Sequence, residues 1–151
     1  MNRTKLWAKA KQYEKSNKYL QAVELYQKLA DDGDVDARFR LAYFYEHGLG
    51  VEQSHLKAFE WYKKSADLGN VDAHVKLGEF YELGLGVGKL LPLAEFWYKK
   101  AMQLGSTQAL VKLGLLALGS TPSKPNVAFD YFTKSANVGD AQGQYQLSLL
   151  Y

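Results

Sequence analysis

Along this chain apolar residues recur at spacings of three and four, the period of a helix with one buried face. Ala37, Leu41, Phe44, Tyr45 and Gly48 share one face and predict a first helix. Gly48 marks its end, as does Gly84 one unit later, because glycine takes a left-handed helix end without steric cost. A second helix is predicted from Ala58, Trp61, Tyr62 and Ser65, and again from Ala94, Trp97, Tyr98 and Ala101. Gly69, Gly105 and Gly139 close the second helices. Ser54 is placed to cap one of them, and Pro92 suits a first turn, where its missing N–H costs little. Small alanines facing large aromatics at fixed positions predict close helix-on-helix interlocking.

These pairs are copies of one unit. Residues 37–72 align with 73–108 without a gap and share 16 identical positions. A third copy, 109–142, keeps both ends but has a rewritten loop two residues shorter, and a fourth begins at Gly143 and stops at Tyr151. Leu20, Ala22, Tyr26, Ala30, Gly33 and Asp36 stand 36 residues before Leu56, Ala58, Tyr62, Ala66, Gly69 and Asp72. One unit cannot bury both its faces, so the core is expected from stacking.

The recurring string A-x3-L-[AG]-x2-Y-x2-G-x-G-V…A-x2-W-Y-x-K-[AS]-x3-G resembles the Sel-1-like repeat, a relative of the tetratricopeptide repeat. Here it runs from Ala37 through Leu41, Tyr45, Gly50 and Trp61 to Gly69, and again from Ala73 through Leu77, Tyr81, Gly86 and Trp97 to Gly105. In the third copy Ala117 replaces the tyrosine, Tyr131-Phe132 replaces Trp-Tyr, and the loop 119-GSTPSKPN-126 lacks G-x-G-V. The opening hairpin, residues 1–36 with Ala10, Tyr13, Ala22 and Tyr26, looks more like a plain tetratricopeptide unit. The resemblance implies a single all-α domain over 1–151, a right-handed α-solenoid of about nine helices. It also implies an interaction module, commonly bacterial, whose first helices line the concave side.

Composition narrows the function classes. The 151 residues are 47% hydrophobic and 23% charged, which is globular, and no apolar run approaches a membrane span. Residues 1–15 carry positive charge with no apolar stretch behind it, so no secretory signal is read there. Zero cysteines exclude disulfides and thiolate metal sites and fit a cytoplasmic protein. The formal charge of +3 is unevenly placed: Arg3, Lys5, Lys9, Lys11, Lys15 and Lys18 face only Glu14 within residues 1–18, and the rest of the chain is slightly acidic. That body does not predict a nucleic-acid partner. The basic start reads as a solvated helix face or as an arm attracting an acidic partner.

Strings that mimic catalytic motifs fall short. GLGVGK at 84–89 would need glycine at Leu83 and a hydroxyl at Leu90 to be a phosphate loop, and reads as a helix end. DDGDVD at 31–36 lacks the central glycine of a calcium loop, and more simply joins two units with Asp34 or Asp36 near a helix start. Ser54-x-x-Lys57 is similar to the opening of a penicillin-recognising serine motif, but no Ser-Asp-Asn or Lys-Thr-Gly follows. His47, His55 and His74 fall at different unit positions without metal spacing and are expected on the surface. No enzyme, cofactor or metal is expected, and a penicillin-recognising hydrolase stays as a remote alternative.

Turning the first helix with Ala37, Leu41 and Phe44 inward leaves its third, fourth, seventh, tenth and eleventh positions outward. The fourth forms a cationic column, Arg40, Lys76 and Lys112, beside an apolar third column, Phe39, Val75, Val111 and Tyr145. Tyr43, Glu46, His47, Glu79, Glu82 and Leu83 complete the face, which Leu115, Leu118, Gln146 and Leu149 extend. The columns read either as packing and solubilising charge or as a groove. The groove reading makes Phe39, Arg40, Tyr43, His47, Val75, Lys76, Glu79, Lys112, Leu115 and Tyr145 contacts for a protein or peptide carrying acidic and apolar residues. The expected function is a non-catalytic scaffold or adaptor, regulatory or inhibitory, with neutralisation of a toxin or effector as the alternative. Leu147, Leu150 and Tyr151 lack a covering second helix, so either the chain is cut from a longer array or this edge docks on another subunit or partner.

Overall fold

A computed structural model describes residues 2–151. Among these residues there are nine helices: α1 (Arg3–Lys15), α2 (Tyr19–Asp31), α3 (Val35–His47), α4 (His55–Asp67), α5 (Val71–Leu83), α6 (Leu91–Gln103), α7 (Thr107–Gly119), α8 (Pro125–Asn137) and α9 (Ala141–Leu149). Each helix packs mainly on the ones before and after it in the chain, which makes the array a solenoid. No helix among the described residues is long and apolar enough to cross a membrane.

The start of each first helix is set by one side chain. Asp34, Asn70, Ser106 and Asp140 accept hydrogen bonds from the backbone N–H groups of Ala37, Ala73, Ala109 and Gly143, at 2.9, 2.8, 3.1 and 2.7 Å. The helices therefore begin two residues ahead of Ala37, Ala73, Ala109 and Gly143. Asp34 also accepts from the Trp7 indole at 3.0 Å, so DDGDVD is a capped turn between α2 and α3. Ser54 Oγ accepts from the Lys57 N–H at 3.2 Å and caps α4. That engagement, with the Lys57 ammonium 5.5 Å from the Tyr45 ring, makes the serine a helix cap.

The loops inside the units also follow local chemistry. Gly84 ends α5 at φ +70°, so GLGVGK follows a helix. Two residues on, Gly86 lies so near the start of α4 in the preceding unit that an added Cβ would stand 2.5 Å from the Leu56 nitrogen. Each loop closes on a backbone bond of 2.9 Å, Ser54 N–H to the Tyr45 carbonyl and Leu90 N–H to the Tyr81 carbonyl. The rewritten third loop keeps the same closure, Lys124 N–H to the Ala117 carbonyl at 2.9 Å, without the glycine pair.

Four apolar clusters follow one another along the array, each centred on one aromatic of a second helix: Tyr26, Tyr62, Tyr98 and Phe132. Two of these rings sit directly against a glycine of the first helix: a Cβ at Gly78 would run into the Tyr98 ring, and one at Gly114 into Phe132. His74 corrects the surface expectation. It is only 7% exposed, with Nδ1 donating to the Asn70 carbonyl at 2.7 Å and its ring 5.7 Å from Trp97, because its position faces the second helix of its own unit.

Candidate interaction surface

The odd-numbered helices present one face, and its geometry begins with the buried tyrosines. Tyr26 donates to Glu14 at 2.9 Å, Tyr62 to Glu46 at 2.8 Å and Tyr98 to Glu82 at 2.5 Å. Each pair ties the second helix of a unit to the outward face of the first. In the next unit the corresponding residues are Leu118 and Phe132, so acid and hydroxyl are absent together. Burial pushes the Tyr26 phenol up to about 12. It also raises those of Tyr62 and Tyr98, first by desolvation and then through the adjoining Glu46 and Glu82. All three stay neutral donors at ordinary pH.

Two of these carboxylates, Glu14 and Glu46, meet cations from the following unit, and in the third Glu79 takes the cation in place of Glu82. Arg40 pairs with Glu14 through both its Nε, at 3.2 Å, and its terminal nitrogen. Lys76 lies 3.3 Å from Glu46 and 3.6 Å from Glu79, and Lys112 lies 3.1 Å from Glu79. The fourth-position column is therefore an internal ladder that links successive units, each cation matched by at least one carboxylate. Among the described residues no buried side-chain polar atom is left without a partner.

The apolar column divides. Val75 and Val111 are 2% and 5% exposed and belong to the core clusters around Tyr98 and Phe132. They are corrections to the groove reading, because the third position faces its own unit's second helix. Phe39 is half-buried with its ring 5.2 Å from Tyr62, whereas Tyr145 is 58% exposed. Outward residues remain at the seventh and eleventh positions. Tyr43 and His47 pack with ring centroids 4.3 Å apart and planes tilted by 53°, Glu79 is half-buried in the ladder, and Leu83, Leu115 and Leu149 are exposed. At the carboxyl edge, Leu147 and Leu150 pack against the Phe132 cluster, while Tyr151 is exposed beside Phe129.

Sequence reasoning missed the part of α1 in this face. The turn at 16–18 is four residues shorter than the loop at 48–54, so α1 aligns with α3 at an offset of 32 rather than 36. Trp7 then matches Phe39, Lys11 matches Tyr43, Glu14 matches Glu46 and Lys15 matches His47. The contacts agree: Trp7 meets Tyr26 edge-on at 5.3 Å as Phe39 meets Tyr62 at 5.2 Å. Ala10, in register with Ala42, was the signal available in the sequence. Trp7, Lys11, Glu14, Tyr26, Arg40 and Tyr43 line an open cavity of about 500 Å³ between α1, α2 and α3. Among the described residues no cluster of histidines and carboxylates could hold a metal ion.

Comparison with known proteins agrees with this architecture. The family model of the Sel1 repeat matches residues 12–34, 35–70, 71–106 and 107–140. The structure resembles a Sel1 repeat protein from Oxalobacter formigenes, 29% identical with a TM-score of 0.84, over 95% of this chain and 60% of that one. It also resembles a protective antigen present in uropathogenic Escherichia coli strains that displays an SLR fold. That likeness is 32% identical with a TM-score of 0.78, over 88% of this chain and 29% of the antigen. Helicobacter pylori cysteine rich protein B is 29% identical, with a TM-score of 0.56 over 59% of this chain and 67% of that one. The chain thus spans less than two thirds of the first two. No curated protein matches it.

Proposed function

The chain belongs to the Sel1 repeat family, and from that premise we propose that it is a non-catalytic scaffold or adaptor holding a partner protein or peptide against the face of its first helices. Such repeats generally mediate protein interactions. The observation that carries the reading is the seventh-position column of that face. Tyr43, Glu79, Leu115 and Leu149 lie on successive first helices, and Leu115 and Leu149 remain exposed after the core is filled. Apolar side chains left outward in register along a repeat array form an extended contact strip for another chain. The cations of the fourth position support the reading only indirectly, by holding the face rigid through their glutamates.

The test is affinity capture from host lysate with wild type, Leu115→Asp/Leu149→Asp and Lys11→Glu/Lys15→Glu, the variants first shown folded by circular dichroism. A partner held by wild type and lost by either variant is the expected result. A partner kept equally by both, or none captured by wild type, would remove the reading.

A further inference from the structure

The cavity between α1, α2 and α3 differs in chemistry from the rest of the face. Its walls are aromatic, with Trp7, Tyr19, Tyr26 and Tyr43 around it. Those walls are held in place before any ligand arrives: the Trp7 indole is bonded to Asp34, Tyr26 to Glu14, and the Arg40 guanidinium lies 4.7 Å from the Tyr43 ring centroid. Its volume of about 500 Å³ accommodates one large side chain and the backbone on either side of it. Lys11 and Lys15 stand on the rim one helical turn apart, both exposed and neither within ion-pair distance of a carboxylate among the described residues. Arg40 is already matched by Glu14.

Charge along the face has a direction. The seventh position reads Lys11, Tyr43, Glu79, Leu115, Leu149 from α1 to α9, and the eleventh reads Lys15, His47, Leu83. Uncompensated positive charge on this face therefore sits at the α1 end, and exposed leucines take over towards α9. We propose that the cavity is the anchor for an acidic segment of the partner, which inserts one aromatic side chain between Trp7 and Tyr43 and sets its flanking carboxylates on Lys11 and Lys15. The inference rests on the scaffold reading and adds the place and chemistry of the contact. A single-stranded nucleic acid, which would also bring aromatic rings and negative charge, fits less well: beyond the cavity its next phosphates would meet exposed Leu83, Leu115 and Leu149 and cations already paired with glutamates. An acidic peptide confined to the cavity needs no free cation beyond Lys11 and Lys15.

The probe is the acetylated, amidated peptide Asp-Asp-Phe-Asp-Asp, titrated into the ¹⁵N-labelled chain, with Asn-Asn-Phe-Asn-Asn as control. Saturable shifts are expected at the Trp7 indole N–H and the Lys11 and Tyr43 amides, with Leu115 and Tyr145 still. Lys11→Glu/Lys15→Glu, which alters only exposed side chains, should weaken the peptide by about tenfold or more. Higher salt should weaken it in wild type, and the asparagine control should not saturate. Absence of shifts, equal affinity for the double variant, or tighter binding of a short oligothymidine at the same residues would overturn the assignment. If lysate capture then still showed a partner lost by Leu115→Asp/Leu149→Asp, the scaffold reading would survive the loss of this one; no capture at all would remove the scaffold reading itself.

Discussion

The Tyr62 hydroxyl donates to Glu46 Oε1 at 2.8 Å, joining the buried centre of one unit to the carboxylate that receives Lys76 from the next. The Tyr26–Glu14–Arg40 contacts repeat this relay one unit earlier. In these two units packing inside the unit and cohesion with the next thus share one carboxylate, whereas Glu82 holds Tyr98 and Glu79 receives Lys112. Where the acid is missing, at Leu118, the hydroxyl is missing from Phe132 and the cation position holds Gln146.

That coordinated replacement predicts a rescue. Tyr98→Phe leaves Glu82 without its hydroxyl donor and should cost about 1–2 kcal/mol. Adding Glu82→Leu, which copies the Leu118–Phe132 pair, should recover most of the loss, because replacing both partners leaves no unsatisfied group. Urea unfolding of the two single variants and the double gives the coupling energy; strictly additive losses would refute it.

Reversing the ladder cations should damage the fold. Arg40→Glu/Lys76→Glu/Lys112→Glu sets acids beside Glu14, Glu46 and Glu79, all partly shielded from solvent. After allowance for solvent screening, about 2–4 kcal/mol of destabilisation is expected for the three together. Thermal melting by circular dichroism checks this, and an unchanged Tm would mean that the pairs contribute nothing.

Gly78→Ala should run against helix propensity. Alanine in a helix interior ordinarily gains about 0.5–1 kcal/mol over glycine. Here its Cβ meets the Tyr98 ring, and a loss of about 1–3 kcal/mol is expected instead. Gly88→Ala, with open space around it, is the control and should be close to neutral. Denaturant midpoints for the two variants decide it.

Alkaline pH should unfold the chain through its buried phenols. A phenol whose pKa is raised in the folded state keeps its proton there, so its stabilisation is complete below the ordinary value of 10 and falls as pH rises beyond it. For Tyr26 the loss spans about pH 10 to 12, and Tyr62 and Tyr98 are shifted in the same direction. Phenolate absorbance should show three of the eleven tyrosines ionising only as helicity collapses. Complete ionisation with helicity intact would contradict the burial of these rings.

Much of the fold was legible because its signals are local or strictly periodic. Gly84 ends a helix and Ser54 starts one through contacts within a few residues, and both were readable. The turn after α1 concealed part of the face, since a four-residue deletion moved Trp7, Lys11 and Glu14 out of the 36-residue register that revealed the other units. His74 and Val75 were misplaced outward. A helical wheel assigns one inner face, while a helix in a stack touches both its own partner and its neighbour.

The sequence by itself determined the helices, their caps and the order of the stack, because each depends on nearby residues repeated at a fixed period. Only the tertiary structure decided which outward residues are free to bind. Arg40 and Lys76 look available in the sequence, yet their carboxylates come from 26 and 30 residues earlier, brought within reach by stacking. Lys11 and Lys15 look like ordinary solvated charge until stacking sets α1 beside α3 and forms an open aromatic cavity under their rim. Availability is what remains after neighbouring units have taken their contacts, and no single helix carries that information.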